Sequence, residues 1–236
     1  MNDLSVISPV GYAESKWVSE QILEAAYHHT AMKPVIVRVG QLAGGLNGNW
    51  NTHEWFPALV RASQVVRGAP DNEGVRTYHC FGSLCLPLTT VIQLVSFLSL
   101  HSAATSLIEL RHASGIFVHL VHPRPVLWRD IIDTVATIIC VPVIPYDEWL
   151  KRLEAVPKTS EVLKNNPALY LLDFYRSAAP PRDKADVGSR EAMGLASYAT
   201  ANTARDSPSL DHLPQLSRDE VVRWIDYWES KGALDH

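Results

Sequence analysis

Lys33-Pro34-Val35-Ile36-Val37-Arg38-Val39-Gly40-Gln41 is the stretch on which the reading of the fold turns. Proline ends the link before it. The β-branched run that follows has the composition of a strand buried in a parallel sheet. Gly40, Gly44, Gly45 and Gly48 come directly after. Working backward, Ser8-Pro9 suits a helix start, with serine as the cap and proline in the first turn. Trp17, Val18, Ile22, Leu23 and Ala26 then recur at the spacing of one buried helical face, as far as about His29. Helix, strand and glycine-rich loop make half of an α/β unit. Ligands of such sheets bind at the carboxyl ends of strands, which here falls on Gly40 and Gln41. The glycines themselves do not spell a dinucleotide loop, because Leu46 interrupts the Gly-x-Gly-x-x-Gly spacing. Neither that fingerprint nor a phosphate loop ending in Gly-Lys-Ser or Gly-Lys-Thr occurs in the sequence.

Working forward, Trp50, Asn51, Trp55, Phe56 and Pro57 lead into a helical pattern through Leu59, Val60, Val65 and Val66. Two tryptophans flanking polar residues suit either a substrate mouth or a core. From Thr77 to Ile108 there is no Lys, Arg, Asp or Glu. Pro87, Gln93, His79 and His101 lie within that run, so a buried helix over about 89–101 is expected rather than a membrane span. Gly115 to Val121 reads as a second strand that stops before Pro123. His119 and His122 fall on opposite faces of a strand, and Cys80 and Cys85 lack a metal-site spacing, so no metal is expected. A helix over Trp128–Ile139, an extended piece to Tyr146, and a helix through Trp149 and Leu153 follow. Residues 165–211 read as a loop-rich cover with a short apolar piece at Leu169–Phe174. Ser217-Arg218-Asp219-Glu220 has the form of a capping box, and Val221, Trp224, Ile225 and Trp228 mark one face of a closing helix.

The whole chain of 236 residues is 47% hydrophobic and 19% charged, an ordinary globular composition. Its net charge of -4 and lack of a Lys/Arg block argue against nucleic acid or an anionic membrane as partner. Three cysteines cannot build a disulfide framework and fit a reducing compartment. With no basic and apolar leader before Pro9, a cytoplasmic protein is expected.

The chemistry-bearing motif is Gly11-Tyr12-Ala13-Glu14-Ser15-Lys16-Trp17. Tyr12 and Lys16 stand one turn apart on one helix face. A nearby ammonium favours phenolate over phenol and so brings a tyrosine within reach of general-acid work near neutral pH. The spacing alone is common on solvated helices, and its neighbours carry the argument.

Gly11 to Glu20 followed by Pro34 to Gln41 resembles the active-site half of extended short-chain dehydrogenases/reductases. Within them it is most similar to the thioester reductase domains that end fungal non-ribosomal-peptide-synthetase-like enzymes, aminoadipate reductases and carboxylic acid reductases. Asn49-Trp50-Asn51-Thr52-His53-Glu54-Trp55-Phe56-Pro57, His119-Leu120-Val121-His122-Pro123-Arg124-Pro125-Val126 and Ser207-Pro208-Ser209-Leu210 extend the resemblance along the chain. It implies an α/β fold with an incomplete Rossmann-like parallel sheet, the C-terminal half, and a mainly helical substrate-binding subdomain. As a single partial domain over 1–236, residues 1–60 and about 115–125 would be the Rossmann elements. About 60–114 and 126–236 would form the substrate side.

The resemblance also implies a reaction. Hydride from NADPH would reduce an acyl thioester on a phosphopantetheinylated carrier protein to an aldehyde, with a second reduction to alcohol in some members. Tyr12 would donate to the developing oxyanion. Lys16 would tune Tyr12 and bind the nicotinamide ribose. Arg38, Val39, Gly40 and Gln41 would run beside the nicotinamide, and Trp50, Asn51 and Trp55 would form the acyl or pantetheine entrance. Two departures stand out. Only eleven residues precede Tyr12, and Ser5 and Ser8 are too close to it to be the third catalytic hydroxyl, so the chain reads as the C-terminal part of such a domain. Cys85-Leu86-Pro87-Leu88-Thr89 also stands where the family has a Trp-Ile-Pro-Val-Asp-like segment. Two other readings fit the same residues: a non-catalytic remnant that docks a carrier protein, and a reductase or epimerase of nucleotide sugars.

Overall fold

The computed structural model describes residues 11–72, 77–81, 84–89, 94–113, 115–178, 191–195 and 197–235. The helix start expected at Ser8-Pro9 lies outside these residues. Helix α1 (Gly11–His29) leads to strand β1 (Ile36–Val39) and the two-residue β2 (Leu42–Ala43). After α2 (Trp55–Val66) come β3 (Ala69–Asp71), β4 (Thr77–Phe81), β5 (Leu84–Thr89), β6 (Leu94–Val95) and β7 (Leu98–Ser99). Helix α3 (Leu100–Leu110), β8 (Phe117–Leu120), β9 (Val126–Leu127), α4 (Trp128–Ile138), β10 (Val143–Pro145) and α5 (Tyr146–Glu154) follow. The chain closes with α6 (Ser160–Asn165), a 3-10 turn, α7 (Leu172–Ser177), a second 3-10 turn, α8 (Ala201–Asp206), α9 (Pro208–Asp211) and α10 (Arg218–Ser230).

This is an α/β chain in which most inter-strand pairs are short and parallel: β1 with β8, β2 with β7 and β3 with β10. The β1–β8 register sets Val37 beside Val118 and Arg38 beside His119. Two antiparallel pairs, β4–β5 and β6–β9, complete the described sheets.

Apolar side chains gather in two clusters. The larger holds Trp50, Phe56, Phe97, Trp128, Trp149, Trp224 and Trp228, and draws on residues from Ala43 to Leu234. Trp50 stacks on Phe56 with ring centroids 5.4 Å apart and meets Trp224 edge-on at 5.1 Å. Aromatic pairs of this geometry add to the area term that dominates core energetics. The smaller cluster joins Leu98, Ala103, Leu110, Val118, Leu120 and Leu210 beneath the β1–β8 pair.

Of the helix expected over about 89–101, residues 90–93 lie outside the described residues, and among the described ones 94–99 are not helical. β5 ends at Thr89, β6 and β7 follow, and α3 begins only at Leu100. Periodicity cannot separate a short uncharged strand from a helical turn, and here tertiary bonds decide. The Leu98 amide donates to the Gln41 carbonyl at 3.1 Å, which draws the segment into a parallel ladder. Ser99 then caps α3 by accepting from the Ser102 amide at 3.1 Å. At the chain's end the capping box forms as its spacing predicts, with the Ser217 amide donating to Glu220 Oε2 at 2.7 Å.

Among the described residues no helix is long and apolar enough to cross a membrane.

Candidate active site

The site is built where β1 ends. Up to Val39 the chain pairs with β8, and from Leu42 it pairs with β7. Gly40 and Gln41 are the two residues of the fork. The Gly40 amide still donates to Leu120 O at 3.0 Å, whereas the Gln41 carbonyl already serves Leu98. A side chain on Gly40 would place Cβ 2.3 Å from Val121 Cγ1, so only glycine lets the two strands stay together that far. Such forks at the carboxyl edge of parallel strands open the crevices in which α/β proteins bind ligands.

The Gln41 side chain is fully engaged. Its Nε2 donates to Leu42 O at 2.6 Å and to Glu54 Oε2 at 3.4 Å, and its Oε1 accepts from Trp55 Nε1 at 2.6 Å. Glu54 Oε2 also accepts from Trp50 Nε1 at 2.9 Å. Glu54 thus organises the wall of the fork, a residue that sequence reasoning passed over. The signal was there: it stands between the two tryptophans and is the lone acidic residue of Trp50–Pro57.

A cavity of about 480 Å³ opens beside this wall, lined by Leu42, Trp50, Asn51, Glu54, Leu100 and Lys231 among others. Trp50 contributes its edge while 95% of its surface is packed in the core, being 5% exposed. Asn51 is exposed at the rim. Trp55 is placed differently. Its indole holds Gln41 and packs against Phe56, Phe97 and Phe174, outside the lining of this cavity.

Helix α1 carries Tyr12 and Lys16; the Tyr12 side chain lies outside the described residues, and Lys16 is exposed. Glu20, one turn beyond Lys16, ties the helix to β1. Arg38 Nε donates to its Oε1 at 3.0 Å and Arg38 Nη2 to its Oε2 at 2.6 Å. A two-pronged bond of this kind fixes orientation as well as position. The bond holds the Glu20 turn of α1 against β1. The Glu20 carboxylate raises the Arg38 pKa above its ordinary value. Arg38 also lies over the Phe117 ring, its guanidinium carbon 4.9 Å from the centroid. Val39 is half-exposed at the strand end. Glu20 was also missed in the sequence, since nothing local links it to a residue eighteen positions away.

The other glycines serve packing. The Gly48 backbone has φ +78°, and a Cβ there would stand 2.0 Å from Arg223 O on α10. A Cβ on Gly44 would meet the Trp224 indole at 2.7 Å. The loop after β2 is therefore pressed against α10. Among the described residues, no group of three or more His, Cys, Asp or Glu is placed to hold a metal.

No family model matches the chain. Over 230 residues it is 34% identical to an adenylate-forming reductase, Nps10, of Heterobasidion annosum, a match that takes in 94% of this chain and 19% of that protein. The chain spans about a fifth of the length of the curated relatives it matches first, 19 to 21%. Among solved structures it superposes on the terminal R domain from the myxalamid PKS-NRPS biosynthetic pathway with a TM-score of 0.67 at 20% identity, covering 95% of this chain and 51% of that one. It also superposes on a thiolation-reductase di-domain from an archaeal non-ribosomal peptide synthetase with a TM-score of 0.62 at 14% identity, covering 99% of this chain and 43% of that one. The chain is thus a homologue of a stretch of the adenylate-forming reductases, and its fold is that of part of a terminal R domain.

Proposed function

We propose that this chain is the substrate side and half of the catalytic centre of a reductase that takes an acyl thioester from a phosphopantetheinylated carrier protein and releases an aldehyde. The observation that carries the reading is the fork at Gly40–Gln41. At this fork the chain passes from β8 to β7, and the Gln41 side chain is tied to Glu54, which lines a cavity of about 480 Å³. In this reading residues 1–60 and about 115–125 serve the cofactor, and about 60–114 and 126–236 serve the substrate.

The nicotinamide end of NADPH fits the residues present. Lys16 supplies an ammonium for ribose hydroxyls, and the glycine at 40 keeps the end of β1 close against Val121. Val39, Gly40 and Gln41, with Arg38 holding α1 behind them, would form its bed. The pyrophosphate end has no glycine-rich cradle in this sequence. When bound, the cofactor supplies hydride to the thioester carbonyl. Tyr12 hydrogen-bonds the carbonyl oxygen and gives it a proton as negative charge grows there. Lys16 stabilises the phenolate left behind. The resulting hemithioacetal loses the carrier thiol and leaves an aldehyde; a second passage would give an alcohol. Trp50 and Asn51 would border the acyl and pantetheine path. Trp55 acts on that path through Gln41.

The test supplies the chain together with the stretch that precedes the matched region in an adenylate-forming reductase. Loss of reduced-nicotinamide absorbance is followed with an acyl-pantetheine thioester. Turnover is expected, and Tyr12→Phe and Lys16→Ala should each lower kcat by about 10² to 10⁴ without loss of fold. Absence of thioester-dependent oxidation in every combination, or turnover of a nucleotide sugar instead, would refute the reading. Carrier binding that survives Tyr12→Phe with no cofactor binding would favour a docking remnant.

A further inference from the structure

Gln41 is committed to the fork itself. Its carbonyl accepts from the Leu98 amide, its Oε1 accepts from the Trp55 indole, and its Nε2 donates to Leu42 O and Glu54. The residue therefore sets where β1 gives way to β2, and its own placement depends on Trp55. Trp55 is the first residue of α2 and is held in turn from a distant element. Its carbonyl accepts from the Tyr175 hydroxyl at 2.6 Å, across 120 positions of sequence. Its indole ring packs against Phe174, the neighbour of Tyr175 on α7, with ring centroids 5.7 Å apart.

Tyr175 is itself fixed. It is fully buried, meets Trp149 edge-on at 5.2 Å, and its carbonyl accepts from the Tyr146 hydroxyl at 2.8 Å. Burial holds its phenol well above the ordinary tyrosine pKa, so it stays a neutral donor near neutral pH. A chain of hydrogen bonds thus runs from α5 through α7 and the start of α2 to the strand exit. A ring that only filled the core would need no hydroxyl. Here the hydroxyl bonds the backbone of the residue that orients Gln41. We propose that Tyr175 is a positioning residue of the reductase centre: its hydroxyl, acting through Trp55, fixes Gln41 and with it the end of β1 that would bed the nicotinamide. The assignment rests on the thioester-reductase reading of the fork. It gives α7, which touches neither β1 nor β2 through the bonds described, a part in setting the geometry of the reaction.

The test has two readouts, the first of which needs no turnover. Hydrogen exchange at the indole N–H groups is followed by NMR in the native chain and in Tyr175→Phe, which removes the hydroxyl and keeps the ring. Gln41→Leu, which takes away the acceptor of the Trp55 indole, identifies the Trp55 signal. Tyr175→Phe is expected to quicken Trp55 exchange on the order of fivefold, as for the loss of one hydrogen bond in the chain. Trp228, whose indole donates to Trp50 O at 3.3 Å, should exchange as before. The second readout uses the chain supplied with the preceding stretch of an adenylate-forming reductase. There Tyr175→Phe should lower kcat about tenfold, within the cost of a small misplacement of reacting groups, and leave KM for NADPH and thioester unchanged. Adding Gln41→Leu should bring little further loss, because both changes act through one contact. Trp55 exchange that is unchanged, or that quickens equally with Trp228, overturns the brace. Quickened Trp55 exchange with unaltered kcat, or losses that multiply in the double variant, leaves Tyr175 a structural residue and removes the positioning role. If the native protein turns over no thioester, the reductase reading falls and takes the positioning role with it, while the exchange result still decides whether the brace exists.

Discussion

Single residues hold the fork and its surroundings in place. Gly48 shows how little room there is. Its φ of +78° lies in the left-handed region, and the missing Cβ would fall 2.0 Å from a backbone oxygen of α10. Gly48→Ala must therefore accept the strained backbone and also push the loop off the helix. We expect a loss of about 3 kcal/mol or more, which in a chain of this size lowers Tm by roughly 6–12 °C. Gly232 is the control. Its φ is +67°, but nothing stands within 4 Å of the added Cβ. Gly232→Ala should cost only the backbone strain, about 1 kcal/mol. Equal losses in calorimetric scans of the two variants would show that the contact with α10 is not the cause. The Gln41–Glu54–Trp50–Trp55 set works at the same scale, because each donor in it has an acceptor within the set or on Leu42. A buried donor left unpaired would lose about 1–3 kcal/mol.

At the scale of elements, α1 is held unlike the others. Val18 and Ile22, one turn apart on the face expected to be buried, are instead 48% and 64% exposed. Its described tie to β1 is polar: the two-pronged Glu20–Arg38 bond, with Glu20 and Arg38 side chains 19% and 28% exposed. Helix α4 is the opposite case, with Trp128, Ile131, Ile132 and Val135 all buried. Glu20→Gln should therefore loosen α1 selectively. Hydrogen exchange is expected to quicken several-fold across 13–29, with α2 and α4 unchanged, as for a local opening of about 1 kcal/mol. A uniform acceleration over all helices would contradict this picture. α4, α5 and α10 followed from apolar spacing, and the start of α10 from its capping box, because these helices bury one face locally. The strand at Leu98–Ser99 did not, because it depends on the carbonyl of Gln41, far away in sequence.

The whole molecule joins two cores through the strand exit at His119–Arg124. His122 sits there, 5% exposed. Its Nδ1 accepts from the Arg124 amide at 3.0 Å, so the neutral ring carries its proton on Nε2, which donates to Pro214 O at 3.1 Å. Burial, the leading cause, lowers its pKa below the ordinary value. The unfolded chain then binds this proton first, at about pH 6.5, and the folded chain only at lower pH. Stability conferred by His122 is therefore full above pH 6.5. It declines as pH falls toward the lowered native value and is constant below it. Glu191 acts in the opposite sense. Burial raises its pKa despite hydrogen bonds from Ser96, so its contribution improves on acidification. Urea midpoints compared at pH 7.5 and 5 should fall for the native chain less His122-independent change, and His122→Gln should flatten that fall. An unchanged slope in the variant would remove His122 from the account.

Read by itself, the order of residues determined the helix–strand–glycine unit at 11–48, the position of residues 12 and 16 one turn apart on α1, and the cap and apolar face of α10. Each depends on contacts within a few residues, where spacing and side-chain type suffice. Only the tertiary structure decided that β1 passes from β8 to β7 at Gln41 and that Glu20 fastens α1 through Arg38. The same holds for the burial of Trp50 among Phe56, Phe97 and Trp224, while Trp55 holds Gln41. It also decided that Lys231, near the end of the chain, shares a cavity with Leu42 near its start. Such juxtapositions arise from which surfaces bury one another, and no local pattern of residues encodes them.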